Sequence, residues 1–124
     1  MKRLIALLLL LTALLALAGC GGGGDTDRVR LEIQNAGDYD PGEIRDAMNT
    51  AMKAFRRDCD GCSLLRLRFD ALYSETWITA SGGEVDGTVL VLLANYVDED
   101  GTERTGQPWQ LIKNGSRWSA QPLF

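Results

Sequence analysis

The sequence has 124 residues, of which 45% are hydrophobic and 24% are charged, a length and composition that fit a single small domain. Its net charge of −4 argues against nucleic acid as a partner, because phosphate binding needs clustered Lys and Arg side chains. The chain contains no histidine, which excludes Ser-His-Asp catalysis, Cys-His catalysis and His-ligated metal sites, and we expect neither a cofactor nor a metal.

The first twenty residues have the organisation of an export signal. Lys2 and Arg3 provide a positive start, and residues 4–17 form an apolar run that is shorter than the roughly 20 residues of a transmembrane helix. The run ends in the segment LAGC at residues 17–20, which resembles the lipobox of bacterial lipoproteins. The resemblance implies cleavage before Cys20 and attachment of lipid to its thiol.

The lipobox resemblance predicts how the chain is divided and where it resides. We predict a signal peptide at residues 1–19, a lipidated Cys20 with a Gly-rich tether at residues 20–27, and one domain at residues 28–124. The membrane is then a partner through the N-terminal lipid. Gly21 follows the cysteine, which resembles the default for outer-membrane sorting in a host with two membranes. In a host with one membrane, the protein would lie on the outer face of the cytoplasmic membrane.

The predicted mature chain, residues 20–124, is more acidic than the whole sequence. Lys2 and Arg3 belong to the predicted signal, so 11 basic residues remain against 17 acidic ones, a net charge of −6. One local basic cluster comprises Arg56, Arg57, Arg66 and Arg68. We interpret it as cations at a helix C-terminus followed by a solvated strand face.

The predicted domain begins with a strand and a helix. Apolar and polar residues alternate at residues 28–34, which predicts a half-buried strand. Asp40, Pro41 and Glu43 then fit the N-cap, the first position and the third position of a helix. Apolar residues from Ile44 onward recur at spacings of three and four, which predicts one amphipathic helix.

Several strand patterns follow this helix. Residues 65–69 alternate, residues 77–80 are a second strand-like stretch, and residues 88–97 form the strongest strand pattern. Both faces of residues 89–93 are apolar, and one helix can cover only one face. We therefore predict that the other face is covered by an identical subunit, by another envelope protein or by a bend of the sheet itself.

The last third of the chain contains two predicted turns. Residues 98–101 are acidic but lack the ligand spacing of a calcium loop, so we predict a solvated turn before a strand at residues 107–113. Asn114 and Gly115 fit the two central positions of a type I′ turn. Separately, we expect the first strand, if it pairs, to lie at a sheet edge.

This order of elements predicts an α+β domain, with one amphipathic helix packed on a curved antiparallel sheet of about four to five strands. The segments VDEDGT at residues 97–102 and WQLIKNGSRWS at residues 109–119 resemble small bacterial lipoproteins of the cystatin-like and NTF2-like group. The resemblance covers residues 41–121 in the order of elements. It implies the fold and carries no activity.

Cys59 and Cys62 have CxxC spacing. A structural disulfide is the expectation in an exported protein. A redox pair is an alternative, although thioredoxin-type thiols begin a helix whereas these follow one and lie beside acidic residues. Zinc would need further ligands that the chain does not offer nearby.

Four aromatic residues, Trp77, Tyr96, Trp109 and Trp118, are candidates to line a pocket or groove, and the alternative is that they are core residues or cross-strand pairs. We interpret the protein as a non-enzymatic binding or interaction module. The alternatives are a thiol-disulfide redox protein that uses Cys59 and Cys62, and a small enzyme with a carboxylate acid or base between helix and sheet.

Overall fold

The computed structural model describes residues 24–123, which form two helices and five strands. In chain order the elements are β1 (Arg30–Asn35), α1 (Pro41–Asp58), β2 (Ser63–Asp70), α2 (Ala71–Ala80), β3 (Val89–Val97), β4 (Glu103–Asn114) and β5 (Arg117–Pro122). The predicted α+β class is confirmed for this part of the chain. The predicted signal at residues 1–19 and Cys20 lie outside the described residues.

The strands form one open sheet in the order β1-β2-β3-β4-β5. β1 lies at an edge, as predicted, but it runs parallel to β2, while the other three pairs are antiparallel. The sheet is therefore mixed, which corrects the prediction of an antiparallel sheet. Neighbouring parallel strands need a crossover connection, and α1 provides it between β1 and β2.

The start of α1 follows the predicted capping pattern. Asp40 is the extended N-cap residue, its carboxylate accepts a hydrogen bond from the Glu43 amide at 3.3 Å, and Pro41 begins the helix. The apolar face of α1 is buried against the sheet, and its buried residues are Ile44, Ala47, Met48, Ala51, Ala54 and Phe55. The local sequence signals and the tertiary packing agree here, so this helix was predictable.

The main core lies between α1 and one face of the sheet. The strands contribute alternate buried residues, among them Leu67, Leu90, Leu92 and Leu111. The Phe55 ring contacts another core ring edge to face at a centroid distance of 5.6 Å, an arrangement that aromatic pairs prefer.

Residues 77–80, which we predicted to be strand-like, belong to the helix α2. This second helix also corrects the prediction of a single helix. The carboxylate of Asp70, the last residue of β2, accepts a hydrogen bond from the Leu72 amide at 3.0 Å and caps the helix. The residues of Trp77–Ala80 resemble a strand when considered alone. The cap and the packing of α2 against β3 outweigh that weak preference.

The helix α2 covers part of the second apolar face of β3. Pairing of β2 with β3 extends to Arg68 opposite Leu93, so Val91 lies beyond the paired part of β2. The Val91 amide donates a hydrogen bond to the Ser74 hydroxyl of α2 at 2.9 Å, and Val91 is only 1% exposed. The chain itself therefore buries this position, without a second subunit.

The β4–β5 turn differs by one residue from the prediction. Asn114 pairs with Arg117, so the two central residues are Gly115 and Ser116. Of these two central residues, only Gly115 has a positive φ, of 67°. A positive φ at the first central position alone is the type II′ pattern and not the predicted type I′ pattern.

Candidate functional site

Among residues 24–123, no strand pairs with β5 on the side that faces away from β4. The Leu123 amide donates a hydrogen bond to the Pro108 carbonyl at 2.9 Å. In an antiparallel pair, every second residue bonds to the partner strand through its backbone, so the amide and carbonyl groups of Ser119 are directed at β4. The amide and carbonyl groups of Trp118 and Ala120 therefore point outward from the sheet.

A groove of about 590 Å³ lies between α1 and this open strand, and we name it the α1–β5 groove. The side chains of Trp118 and Ala120 lie on the sheet face that α1 covers, and both residues are half-buried. The groove is lined by Asp46, Asn49, Thr50, Lys53, Ala54, Arg57, Ser116, Arg117, Trp118, Ser119 and Ala120. A helix flank and an unpaired strand edge therefore form its two walls.

The charged side chains in the α1–β5 groove are mostly basic. Lys53 and Arg57 come from α1, Arg117 comes from β5, and Asp46 is the single acidic residue of the lining. Arg57 forms an ion pair with Asp58, at 2.8 Å between nitrogen and oxygen. Among the described residues, Lys53 and Arg117 form no ion pair, so their charges are available to a ligand.

Trp118 is the predicted aromatic residue that lines this groove. The ammonium group of Lys113 lies 5.8 Å from the centre of its ring, within the range of a cation–π interaction. Lys113 also forms an ion pair with Glu43. These contacts fix the tryptophan beside the groove and connect β4 to the start of α1.

The other three predicted aromatic residues lie elsewhere. Tyr96 packs against Phe55 in the core, and Trp109 is 3% exposed in the same core. Trp77 is half-buried on α2 and does not line the α1–β5 groove. The structure thus does not bring the four predicted residues together in one site.

A second groove, of about 440 Å³, lies at the end of the sheet where α1 begins. We name it the acidic groove; its charged residues are Asp38, Asp40, Glu43, Glu75, Asp86 and Lys113. Structural contacts occupy several of these carboxylates. Asp86 accepts hydrogen bonds from the hydroxyl and amide of Thr88, and the hydroxyl contact lowers the pKa of this carboxyl below its usual value.

A general acid at neutral pH needs a raised pKa, so the direction found at Asp86 is the opposite of the one that the carboxylate-enzyme alternative requires. Among residues 24–123, no three His, Cys, Asp or Glu side chains are grouped so that they could hold a metal ion.

Cys59 and Cys62 form a disulfide, with sulfur atoms 2.14 Å apart. Cys59 is the C-cap of α1, and its amide donates to the Phe55 carbonyl at 3.0 Å. Cys62 is 4% exposed. The pair therefore connects the end of α1 to the start of β2. At the C-terminus of a helix the dipole disfavours a thiolate.

Part of the predicted tether is hydrogen-bonded to the domain. The Gly24 amide donates to the Arg56 carbonyl at 2.9 Å, and the Asp25 amide donates to the Cys62 carbonyl at 2.8 Å. A Cβ atom at Gly24 would lie 2.9 Å from the Phe55 ring, so a side chain here would need the ring to move. Residues 24–25 thus dock beside the disulfide.

Comparison of the chain with protein-family models, with curated proteins and with solved structures gives no match. Within the described residues, neither helix combines the length and the apolar character that a membrane crossing needs.

Sequence reasoning missed most of the α1–β5 groove. The flank of α1 that carries Asp46, Asn49, Lys53 and Arg57 has helical spacing, which was a usable signal. That this flank faces β5 depends on the order of strands in the sheet. A single sequence does not contain that information.

Proposed function

We propose that this protein is an exported, lipid-anchored lipoprotein whose domain binds a partner protein non-covalently in the α1–β5 groove. In this proposal lipid on Cys20 holds it at the outer membrane of a host with two membranes, or at the outer face of the cytoplasmic membrane otherwise. The domain acts as an interaction module and performs no reaction of its own.

One observation carries the binding proposal, namely the unpaired edge of β5 beside a helix flank. Unpaired strand edges are templates for pairing with another chain, and proteins usually protect them. Pro122 lacks an amide hydrogen and protects only the last residue of β5. Trp118 and Arg117 in the same groove belong to the residue types that contribute most binding energy at protein interfaces.

Membership of the cystatin-like and NTF2-like group is part of the same proposal. A long helix followed by antiparallel strands that end in a hairpin supports it. The helix α2 and the parallel pairing of β1 with β2 are additions to the arrangement that we expected.

The two enzymatic alternatives have weaker support. The buried Cys62 sulfur and the position of Cys59 at a helix C-terminus favour a structural bond over an exchanging one. For the acid–base alternative, the hydrogen-bonded Asp86 carboxyl has a pKa shifted in the unfavourable direction.

The anchor is tested by the substitution Cys20→Ser in the native host. We expect the wild-type chain to fractionate with membranes, to resist extraction by salt and to carry lipid at a new N-terminal cysteine by mass spectrometry. The variant is expected to lose the lipid, while Cys59→Ser should keep it. A wild-type chain that is intact from Met1 and unacylated would overturn the anchor.

The groove is tested by placing a photo-crosslinking amino acid at Asp46, which lines it, and at Glu84, an exposed loop residue outside it. We expect a defined crosslinked species in native membranes from position 46 alone. This species should decrease when Arg117 is changed to Glu. Equal crosslinking from both positions, or none from position 46, would contradict a partner site in this groove.

A further inference from the structure

We infer that the α1–β5 groove binds an acidic, extended peptide segment of the partner, which adds to β5 as a sixth strand of the sheet. This inference rests on the proposed function and names the chemistry of the partner at the same site. Two features of the groove identify this peptide as the occupant, namely the hydrogen-bonding edge of β5 and the charge of the lining.

The hydrogen-bonding edge selects an extended backbone. The outward amide and carbonyl groups of Trp118 and Ala120 repeat every second residue along β5, which is the spacing that an added strand matches. A helix cannot pair with these groups, because its own backbone bonds are internal. The flank of α1 forms a wall along the same edge, so an added strand would be held between helix and sheet.

The charge of the groove selects an acidic segment. Lys53 and Arg117 form no ion pair among the described residues, and Asp46 is the single acidic residue of the lining. The predicted mature chain, residues 20–124, has a net charge of −6, so this basic groove stands out against an acidic surface. Complementary charges favour the correct partner and speed its association.

The same charges disfavour a second copy of this chain as the occupant. Edge-to-edge pairing of two β5 strands would bring two grooves together, each with its own Lys53, Arg57 and Arg117. Like charges at an interface oppose association. We therefore do not expect a second copy of the chain in the groove, and the test must be able to detect one.

The test measures binding of a fluorescent, capped peptide of alternating glutamate and valine to the purified mature lipidated protein in detergent. Arg117→Glu and Lys53→Glu should each weaken binding by about threefold to tenfold, because each variant turns an attraction into a repulsion. The matched control is Arg28→Glu, an exposed change just before β1, the strand at the opposite edge of the sheet, which should alter binding by less than about twofold. A peptide of lysine and valine that binds equally well would overturn the inference.

Strand addition is tested on the peptide itself, so that folding of the protein is not affected. N-methylation of every residue keeps the charges and removes all amide donors, and it should weaken binding by about tenfold or more. Methylation of alternate residues leaves donors that can face β5 and should change binding by less than about threefold. Equal binding of all three peptides would show that charge alone acts, and would overturn strand addition.

Two further outcomes separate this inference from the proposed function. Crosslinking from position 46 without any binding of the acidic peptide would overturn the inference and leave the partner site in place. Sedimentation of the peptide-free protein as a dimer that Ala120→Pro dissociates would show that a second copy occupies the groove, and would also overturn it. Absence of crosslinking would overturn both.

Discussion

At the scale of single residues, the position of a side chain in the sheet decides its role more than its type does. Trp109 and Trp118 are on neighbouring strands, and both face α1. Trp109 lies on an inner strand and is buried, whereas Trp118 lies on the edge strand and borders a groove. Sequence reasoning grouped them because strand order was unknown, so the aromatic candidates could be named but not assigned.

Ser74 provides a residue-scale prediction. It is fully buried, and its hydroxyl accepts a hydrogen bond from the Val91 amide. Ser74→Ala should lower the free energy of unfolding by about 1–3 kcal/mol, because a buried amide loses its partner. Ser81 is the matched control, since its exposed hydroxyl donates to the Trp77 carbonyl, and Ser81→Ala should cost less than about 0.5 kcal/mol. Equal losses in urea unfolding would contradict this role of Ser74.

At the scale of elements, local signals predicted those parts that local chemistry determines. The start of α1 was predictable because Asp40 and Pro41 act within one turn. The helix α2 was missed because its N-cap, Asp70, is also the last residue of β2, and because Trp77–Ala80 contains residues that favour strands. The packing of α2 on β3, beyond the end of β2, is a tertiary contact that the periodicity of apolar residues in the sequence does not reveal.

The disulfide provides an element-scale prediction. The loop that Cys59 and Cys62 close is short, so replacing both with Ala should lower the free energy of unfolding by about 2 kcal/mol. The Asp25 amide donates to the Cys62 carbonyl, so hydrogen exchange at Gly24 and Asp25 should also accelerate.

Reduction of the wild-type protein is the control and should reproduce both effects of the double substitution. If exchange at these two amides is unchanged, the disulfide does not position the docked segment.

At the scale of the whole molecule, the fold class and the edge position of β1 were predictable, whereas the parallel pairing of β1 and the open groove beside β5 were not. The order of elements restricts a small chain to few architectures. The direction of β1 depends on where α1 crosses the sheet, and the groove depends on which strand ends the sheet. Both are properties of the assembled fold.

Stability should fall in acid. Hydrogen bonds from arginines, from a hydroxyl and from backbone amides lower the pKa of four carboxyl groups, those of Glu32, Asp58, Asp86 and Asp98. Because the folded pKa is below the unfolded one, their stabilisation is complete above the unfolded values of 4.5 for Glu and 3.8 for Asp. It is lost as the pH falls through the folded values.

Stability should also fall in alkali, for the opposite reason. Burial raises the pKa of Tyr39 and Tyr96 above the ordinary value of 10.0. The stabilisation is complete below that value and is lost as the pH rises through the folded values. Urea midpoints measured from acid to alkali should show a plateau between the two limits. A urea midpoint that rises as the pH falls below the pKa of free Glu would contradict the predicted loss of stability in acid.

The docking of Gly24 also limits how far the domain can stand from a bilayer. With lipid on Cys20, as proposed, only residues 21–23 separate the anchored cysteine from the docked glycine. Even a fully extended chain spans at most about 3.6 Å per residue, so the disulfide end would stay within roughly 15 Å of the headgroups. The acidic groove lies where α1 begins, at the opposite end of this helix from the disulfide, so it would lie at the far end of α1 from the attachment point.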